Sequence, residues 1–532
     1  MGITRPISRR GFVALAGTSV AVLAAGSLAA CGQGGSSSSE KVLRYGTINP
    51  KASLDQQITT GNGTGISQAV CEPLVWFDQD FKVQPLLVTQ LPVAREDKVT
   101  YDFELKENVK FHDGSTLTAD DVKFTFERMF TPATKAASTN SYELIVGAKD
   151  MLAGTATELS GFAITDDRHF SITLEQPYAS FLAMLAEQYA VIYPRKACTE
   201  AGSNWGNGTN YVGTGPYKLT SNDDATEVVL EAFSDYHDGA PKVAKIECRY
   251  VDDVNTLMMN YKSGDIDLCV LDPSLYDQYA DDTDVKDQIV NFIPAQTRFV
   301  NLNLNDDALK DVRVREALSL AINRQELVDT VLQGASKACT QFVAPGEEGY
   351  DDSLDVLEYN PDKARQLLEE AGATGTTLTL ATQAKNQKVA VALQGYWQAV
   401  GLNVQVNQMD NSTYMSDRTA GNLQMSMVTW LTLCWIGSEH MRSWFHSSRT
   451  SKRSSFYASQ AFDTDIDAAQ AELDEAARIQ LTREADATIT RQDFACIAVD
   501  YPGDPYVARN VSGMFKNPLF AFTNAFDVEA EK

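Results

Sequence analysis

Between Gln408 and His446 the chain gathers Asp410, Tyr414, Arg418, Trp430, Trp435, His440 and Trp444, with half of its six tryptophans in this one segment. Aromatic rings beside a guanidinium can wall a cleft that stacks on side chains or on a peptide plane; core packing is the alternative for any single ring. Transformation chemistry has far less to work with. None of the five histidines, His112, His169, His237, His440 and His446, stands in an HExxH motif, and His440 and His446, six apart, point to different faces of a helix. No GxSxG elbow occurs, and the only Ser-x-x-Lys spacing, Ser38 to Lys41, falls in a tether-like stretch. Asp463, Asp465 and Asp467 imitate the first ligands of a calcium loop, but Ala468 stands where that loop needs glycine and the flanks read as helix, so a solvated helix start is expected.

One cysteine has a chemistry of its own. Arg9 and Arg10 stand in Ser8-Arg9-Arg10-Gly11-Phe12, an uncharged apolar run follows from Val13 to Ala30, and it ends in Leu28-Ala29-Ala30-Cys31. Small residues before Cys31 fit the narrow cleft of a signal peptidase, and a cysteine thiol at a new N-terminus is a nucleophile open to acylation. The arrangement resembles a bacterial lipoprotein signal, and the paired arginines with Phe12 resemble a twin-arginine export signal. The run is close to the shortest that spans a bilayer, so an uncleaved anchor helix is the alternative. Gly32 to Ser39 offers no side chain able to pack and reads as flexible coil. The expectation is a signal over 1–30, a lipidated Cys31 with tether over 31–40, and a body held at the extracytoplasmic face of the bacterial cell membrane. The remaining cysteines, Cys71, Cys198, Cys248, Cys269, Cys339, Cys434 and Cys496, form no CxxC pair. That speaks against a structural zinc and leaves room for long-range disulfides, with at least one thiol over.

The net charge is −26, and removing residues 1–30 takes away three arginines and no acid, leaving about −29. So acidic a surface repels nucleic acid, and no nucleic-acid partner is expected. Roughly 500 residues exceed a single core, which predicts two or three domains.

The elements that must position these groups are legible in places. Residues 98–105 alternate, with Val99, Tyr101, Phe103 and Leu105 on one face of a half-buried strand. Thr118 caps a helix whose apolar stripe is Val122, Phe126, Met129 and Phe130. Gly61-Asn62-Gly63-Thr64-Gly65 lacks the spacing of a phosphate loop and reads as a turn, and Glu72-Pro73-Leu74-Val75-Trp76 follows it. Arg298 to Asn305 alternates apolar residues with Asn301, Asn303 and Asn305, which suits either a solvated edge or the wall of a polar cleft. A helix opens after Asp311, and another is marked by Asn360 as cap and Pro361 as first residue.

Five segments, in this order, resemble the family 5 extracellular solute-binding proteins, the peptide and nickel receptors of ABC importers. They are Cys71-Glu72-Pro73-Leu74-Val75; Val109 to Gly114 with Leu117 to Phe124; Gly213-Thr214-Gly215-Pro216-Tyr217; Asp311 to Leu318; and Asn360-Pro361-Asp362-Lys363-Ala364. The resemblance implies a periplasmic-binding-protein-like α/β fold, two mixed α/β lobes with a hinge plus an additional inserted domain. It places lobe I at 41–78, 212–297 and 508–532, the additional domain at 79–211 and lobe II at 298–507. It implies a binder, not an enzyme, that captures an oligopeptide and delivers it to ABC permease and ATPase subunits, with no cofactor. Nickel or a metal chelate, an oligosaccharide or another non-peptide solute are alternatives within the class, and a secreted hydrolase is the alternative outside it. The expected ligand-binding residues are Glu72, Asn301, Asn303, Arg418, Trp430, Trp435, Glu439 and His440, with Arg418 on the carboxylate end. The chain departs from the peptide-binding pattern in one respect. Peptide binders carry an acid a few places after the tryptophan equivalent to Trp430; here Leu431-Thr432-Leu433-Cys434-Trp435 follows, and the nearest acid is Glu439. A buried ammonium without its carboxylate loses about 3–5 kcal/mol, so Glu72 or Glu439 would have to compensate, or the ligand has no amine.

Overall fold

The computed structural model describes residues 41–59, 64–223, 225–432, 434–514, 522–523 and 527–528. The expected signal, Cys31 and the tether lie outside the described residues, as do Gly61 to Gly63 and Leu433.

Two sheets organise the body. In the first, the strands run in the order Ile289–Phe292, Asp504–Ala508, Leu268–Val270, Val42–Ile48, Lys245–Val251, Glu227–Ala232 and Tyr217–Asn222. Val42–Ile48 is parallel to both its neighbours, and the other pairings are antiparallel. The second sheet runs Ser336–Ala338, Cys496–Pro502, Gln296–Leu302, Met425–Leu431, Thr377–Thr382 and Asn403–Gln408. One face of it packs on the helices Val312–Leu320, Pro361–Glu370 and Gln387–Ala399 through Val300, Met425 and Met427. Its other face packs on Gly437–Phe445, Gln460–Ala471 and Glu475–Ala487 through Phe299 and Val428.

The chain crosses from sheet to sheet twice, from Phe292 to Gln296 and from Pro502 to Asp504. Gln296 Nε2 donates to the Pro502 carbonyl at 3.0 Å and ties the crossings together. The second needs glycine at 503, because a Cβ there would stand 2.3 Å from Asn291 Oδ1 and 2.4 Å from the Ala335 carbonyl.

A third, antiparallel sheet of Thr100–Glu104, His169–Thr173 and Phe162–Ile164 buries Tyr101 and Phe103 on the face that the alternation predicts. The helix Ala119–Phe130 follows the predicted cap: the Asp121 carboxylate accepts from the Thr118 N–H at 3.0 Å and its hydroxyl at 2.8 Å, and the predicted stripe is buried. Asn360 Oδ1 likewise accepts from the Lys363 N–H at 3.1 Å, with Pro361 opening the helix.

Two expectations change, and the helix expected at Asp463 to Asp467 holds. The seven described cysteines are all unpaired and buried, because each sits within the apolar packing of its own element and faces no second thiol in bonding position. Asn301 and Asn303 are neither a wet edge nor a cleft wall: Asn301 Nδ2 donates to the Arg453 carbonyl at 2.9 Å and Asn303 Nδ2 to the Leu423 carbonyl at 3.2 Å. Asp463, Asp465 and Asp467 lie within the helix Gln460–Ala471, and among the described residues no group of three side chains is placed to hold a metal. Among those residues no helix is long and apolar enough to cross a membrane.

Candidate functional site

Met425–Leu431 and Thr377–Thr382 run parallel, so their carboxyl ends lie together, and in open α/β sheets ligands gather outside such ends. There, where the second sheet meets the first, a cavity of about 340 Å³ opens with both sheets contributing to its walls. Arg298, Lys385, Asn386 and Lys388 line it from the second sheet and its helix, and Asp272, Asp277 and Asp504 from the first.

A β-bulge sets Arg298. It lies opposite Asp500 while the next residue, Phe299, lies opposite Ala498, so Val499 is the extra residue. Arg298 Nε stands 3.6 Å from Asp500 Oδ1, an ion pair without a hydrogen bond. That nitrogen and both Asp500 oxygens have no hydrogen-bond partner, nor do Asn386 Nδ2 and Gln387 Oε1, although Asn386 Oδ1 accepts from the Thr429 hydroxyl at 3.2 Å. Of these, Arg298 and Asn386 line the cavity, and their open donors can serve a polar group brought into it.

The charges agree. Crowding by the cavity walls, and after it the Arg298 charge, pushes the Lys385 amine down, and the same crowding pushes the Asp504 carboxyl up, although both side chains are solvent-exposed; the fully buried Asp500 carboxyl is pushed up by burial against the pull of Arg298. Cations on the second-sheet wall thus face acids on the first-sheet wall. Lys388 Nζ reaches Asp277 at 2.6 Å, joining helix Gln387–Ala399 to helix Tyr276–Ala280, but both side chains are half exposed and the pair contributes at most about 1 kcal/mol.

The eight residues singled out from the sequence fall in three other places, and none of them lines this cavity. Glu72 is buried in the first body, where Tyr236 donates to Oε1 at 2.6 Å, Thr214 to Oε2 at 2.9 Å, and His237 Nε2 lies 3.0 Å from Oε2. Its carboxylate is fully used by its own fold. Asn301, Arg418 and Trp430 come together with Trp444 on the face of Met425–Leu431 turned away from the cavity, and Asn303 lies farther along the same strand region. Arg418 sits over Tyr414 and Trp444 at 5.9 and 5.4 Å, and Trp430 meets Trp444 edge-on at 5.3 Å. Trp435, at φ 54, turns its ring onto Phe81 at 4.9 Å. Glu439 accepts from the Tyr178 hydroxyl at 3.4 Å, and His440 Nδ1 lies 2.7 Å from Glu347 Oε1. Trp435 and Glu347 line a second cavity of about 700 Å³ beside Phe81.

Arg298, Lys385, Asn386 and Asp504 went unnoticed in the sequence. One signal was available: Lys385 to Lys388 is a polar link from the carboxyl end of a parallel strand into a helix, the position such sheets use for ligands.

The family model of the bacterial extracellular solute-binding proteins, family 5 middle, matches residues 82–452. The dipeptide-binding protein DppE of Bacillus subtilis is 26% identical over 507 residues, covering 91% of each chain. The glutathione-binding protein GsiB of Salmonella typhi is 28% identical over 445 residues, covering 80% of this chain and 83% of its own. In fold, the chain is similar to the periplasmic murein tripeptide binding protein MppA in its unliganded open form, with a TM-score of 0.80, 21% identity, and coverage of 92% of this chain and 98% of that one.

Proposed function

Because the chain belongs to family 5 of the bacterial extracellular solute-binding proteins, we propose that it captures an oligopeptide between two lobes outside the cytoplasm and delivers it to an ABC importer. Such a receptor binds its cargo and leaves it chemically unchanged.

The observation that carries the ligand class is the sign of the charges around the 340 Å³ cavity, with Arg298 and Lys385 on one wall and Asp272 and Asp504 on the other. A zwitterion fits that polarity. The guanidinium fork of Arg298 suits a carboxylate, Lys385 adds a second cation, and the N-terminus of helix Gln387–Ala399 places partial positive charge on the same side. Asp504 and Asp272 then take the ammonium, which answers the acid missing after Trp430. Peptide-like ligands in the names of relatives, a dipeptide and glutathione, support the class.

In this reading lobe I comprises 41–78, 212–297 and the chain from 504, the additional domain 79–211, and lobe II 298–503; the last boundary moves from 507 to 503 because Asp504–Ala508 is a strand of the first sheet, and the two crossings form the hinge. Cys31 carries the lipid, and the membrane permease and ATPase subunits receive the cargo. Glu72, Asn301, Asn303, Trp435, Glu439 and His440 hold the scaffold, while Arg418 and Trp430 border a subsite taken up below. The test is mass spectrometry of what co-purifies with the protein from its native host. Peptides released on denaturation are expected; a non-peptide solute would overturn the ligand class.

A further inference from the structure

Two arginines on the far face of Met425–Leu431 lack what buried arginines elsewhere in this molecule have. Arg324 is fully buried and donates to the carbonyls of Ala498 and Ser319 at 2.8 and 3.1 Å; Arg315 donates to those of Asp493 and Leu309 at 2.9 and 2.8 Å. Arg478 grips Glu348 with two bonds of 2.6 and 2.7 Å. Arg418, only 7% exposed, and the half-buried Arg453 have no such partners: among the described residues no carboxylate pairs with either, and Arg418 Nε has no hydrogen bond. They share only a ring, Trp444, at 5.4 and 4.5 Å, with Trp430 under Arg453 at 5.1 Å. Two buried donors beside them, Trp444 Nε1 and Ser455 Oγ, are also without partners. Burial, reinforced by Arg418 and Arg449, pushes the Arg453 guanidinium down to about 10, so the fold gains nothing by keeping two cations side by side here.

The pair is within reach of the ligand. Thr429 lines the 340 Å³ cavity and its neighbour Trp430 touches Arg453, so cavity and arginines flank one strand end, where Leu431 is 37% exposed. We infer that Arg418 and Arg453 form an anion subsite that takes an acidic side chain of the bound peptide, with Trp444 Nε1 and Ser455 Oγ as further donors. The inference rests on the peptide reading for its ligand, and it makes this a receptor that favours acidic peptides.

The test titrates Ala-Glu-Ala and Ala-Gln-Ala into the mature chain by calorimetry, for the wild type, Arg453→Gln and Arg453→Lys. In parallel, glutarate alone is titrated while tryptophan fluorescence is followed. The wild type should bind the glutamate peptide at least tenfold more tightly. Arg453→Gln should erase that preference and the glutarate response while its thermal midpoint stays level or rises, since it removes an unpaired charge; a structural arginine would lower it. Arg453→Lys, which keeps the charge and loses the fork, should retain part of the preference, and it serves alone if the glutamine variant does not fold. A glutarate response that Arg453→Gln abolishes, with neither peptide bound, would defeat the peptide reading and uphold the subsite. Equal peptide affinities with no glutarate response, or a preference that survives both substitutions, would overturn the subsite.

Discussion

Two of the molecule's cavities differ in the opposite sense from their sizes. The larger, about 700 Å³, lies beside Phe81 and Trp435, and its two cations are paired, Arg478 with Glu348 and Lys82 with Glu475 at 2.9 Å, while Trp435 Nε1 has no hydrogen bond. Phe81 seats its ring where a Cβ on Gly346 would come within 2.8 Å, which makes this region a fitted joint. The smaller, about 340 Å³, sets cations against acids across the gap between two sheets and leaves Arg298 Nε and Asn386 Nδ2 without hydrogen bonds. Volume therefore does not identify a binding site here; the state of the polar groups does. A fold that satisfies its buried charges is holding itself together, and one that leaves them unsatisfied is holding them for a partner.

That contrast can be broken by substitution. Arg478→Met should cost the most stability, about 3–5 kcal/mol, because it leaves Glu348 buried and alone; a urea midpoint that falls while ligand affinity of the folded protein stays constant would place this cavity with the scaffold. Glu187→Gln comes next. Burial, and after it the charge of Glu439, raises the Glu187 carboxyl to about 8. A folded pKa above the unfolded value means stability fully present below about pH 4.5 and lost as pH rises through about 8. The variant should match the wild type near pH 4 and exceed it at pH 8 by about 4 kcal/mol; thermal midpoints that run parallel across that range would refute the shift. Asp277→Asn should matter least, weakening ligand binding by no more than about fivefold, since Lys388–Asp277 is half exposed. A larger loss by calorimetry would make that pair a clasp between the lobes.

Much of the architecture was legible in the sequence where local chemistry dictates it. Asn360 with Pro361, and Thr118 with Asp121, each start a helix through hydrogen bonds at its first turn. The site was not legible, because it is assembled from distant segments and tuned by a single extra residue. Val499 makes the bulge that brings Arg298 opposite Asp500, and neither side chain advertises the other from 200 positions away. The asparagines that suggested a polar cleft instead serve the carbonyls of Arg453 and Leu423, a demand visible only once those loops are folded over the strand. Trp435 misled for a backbone reason: its positive φ turns the ring into the joint with Phe81. Arg418, carried on the helix Asn411–Ala420, packs over Trp444 behind Met425–Leu431 and not in the cavity in front.

The role proposed for Arg298 in the smaller cavity is to receive a ligand carboxylate. Its most direct test measures calorimetric Kd for Ala-Ala-Ala and for the same tripeptide with its C-terminus amidated, in the wild type and in Arg298→Lys. The wild type should prefer the free acid at least tenfold, about 1.4 kcal/mol, and Arg298→Lys should lose most of that preference with little change in its thermal midpoint. Equal affinity of the wild type for acid and amide, or an undiminished preference in Arg298→Lys, would contradict it.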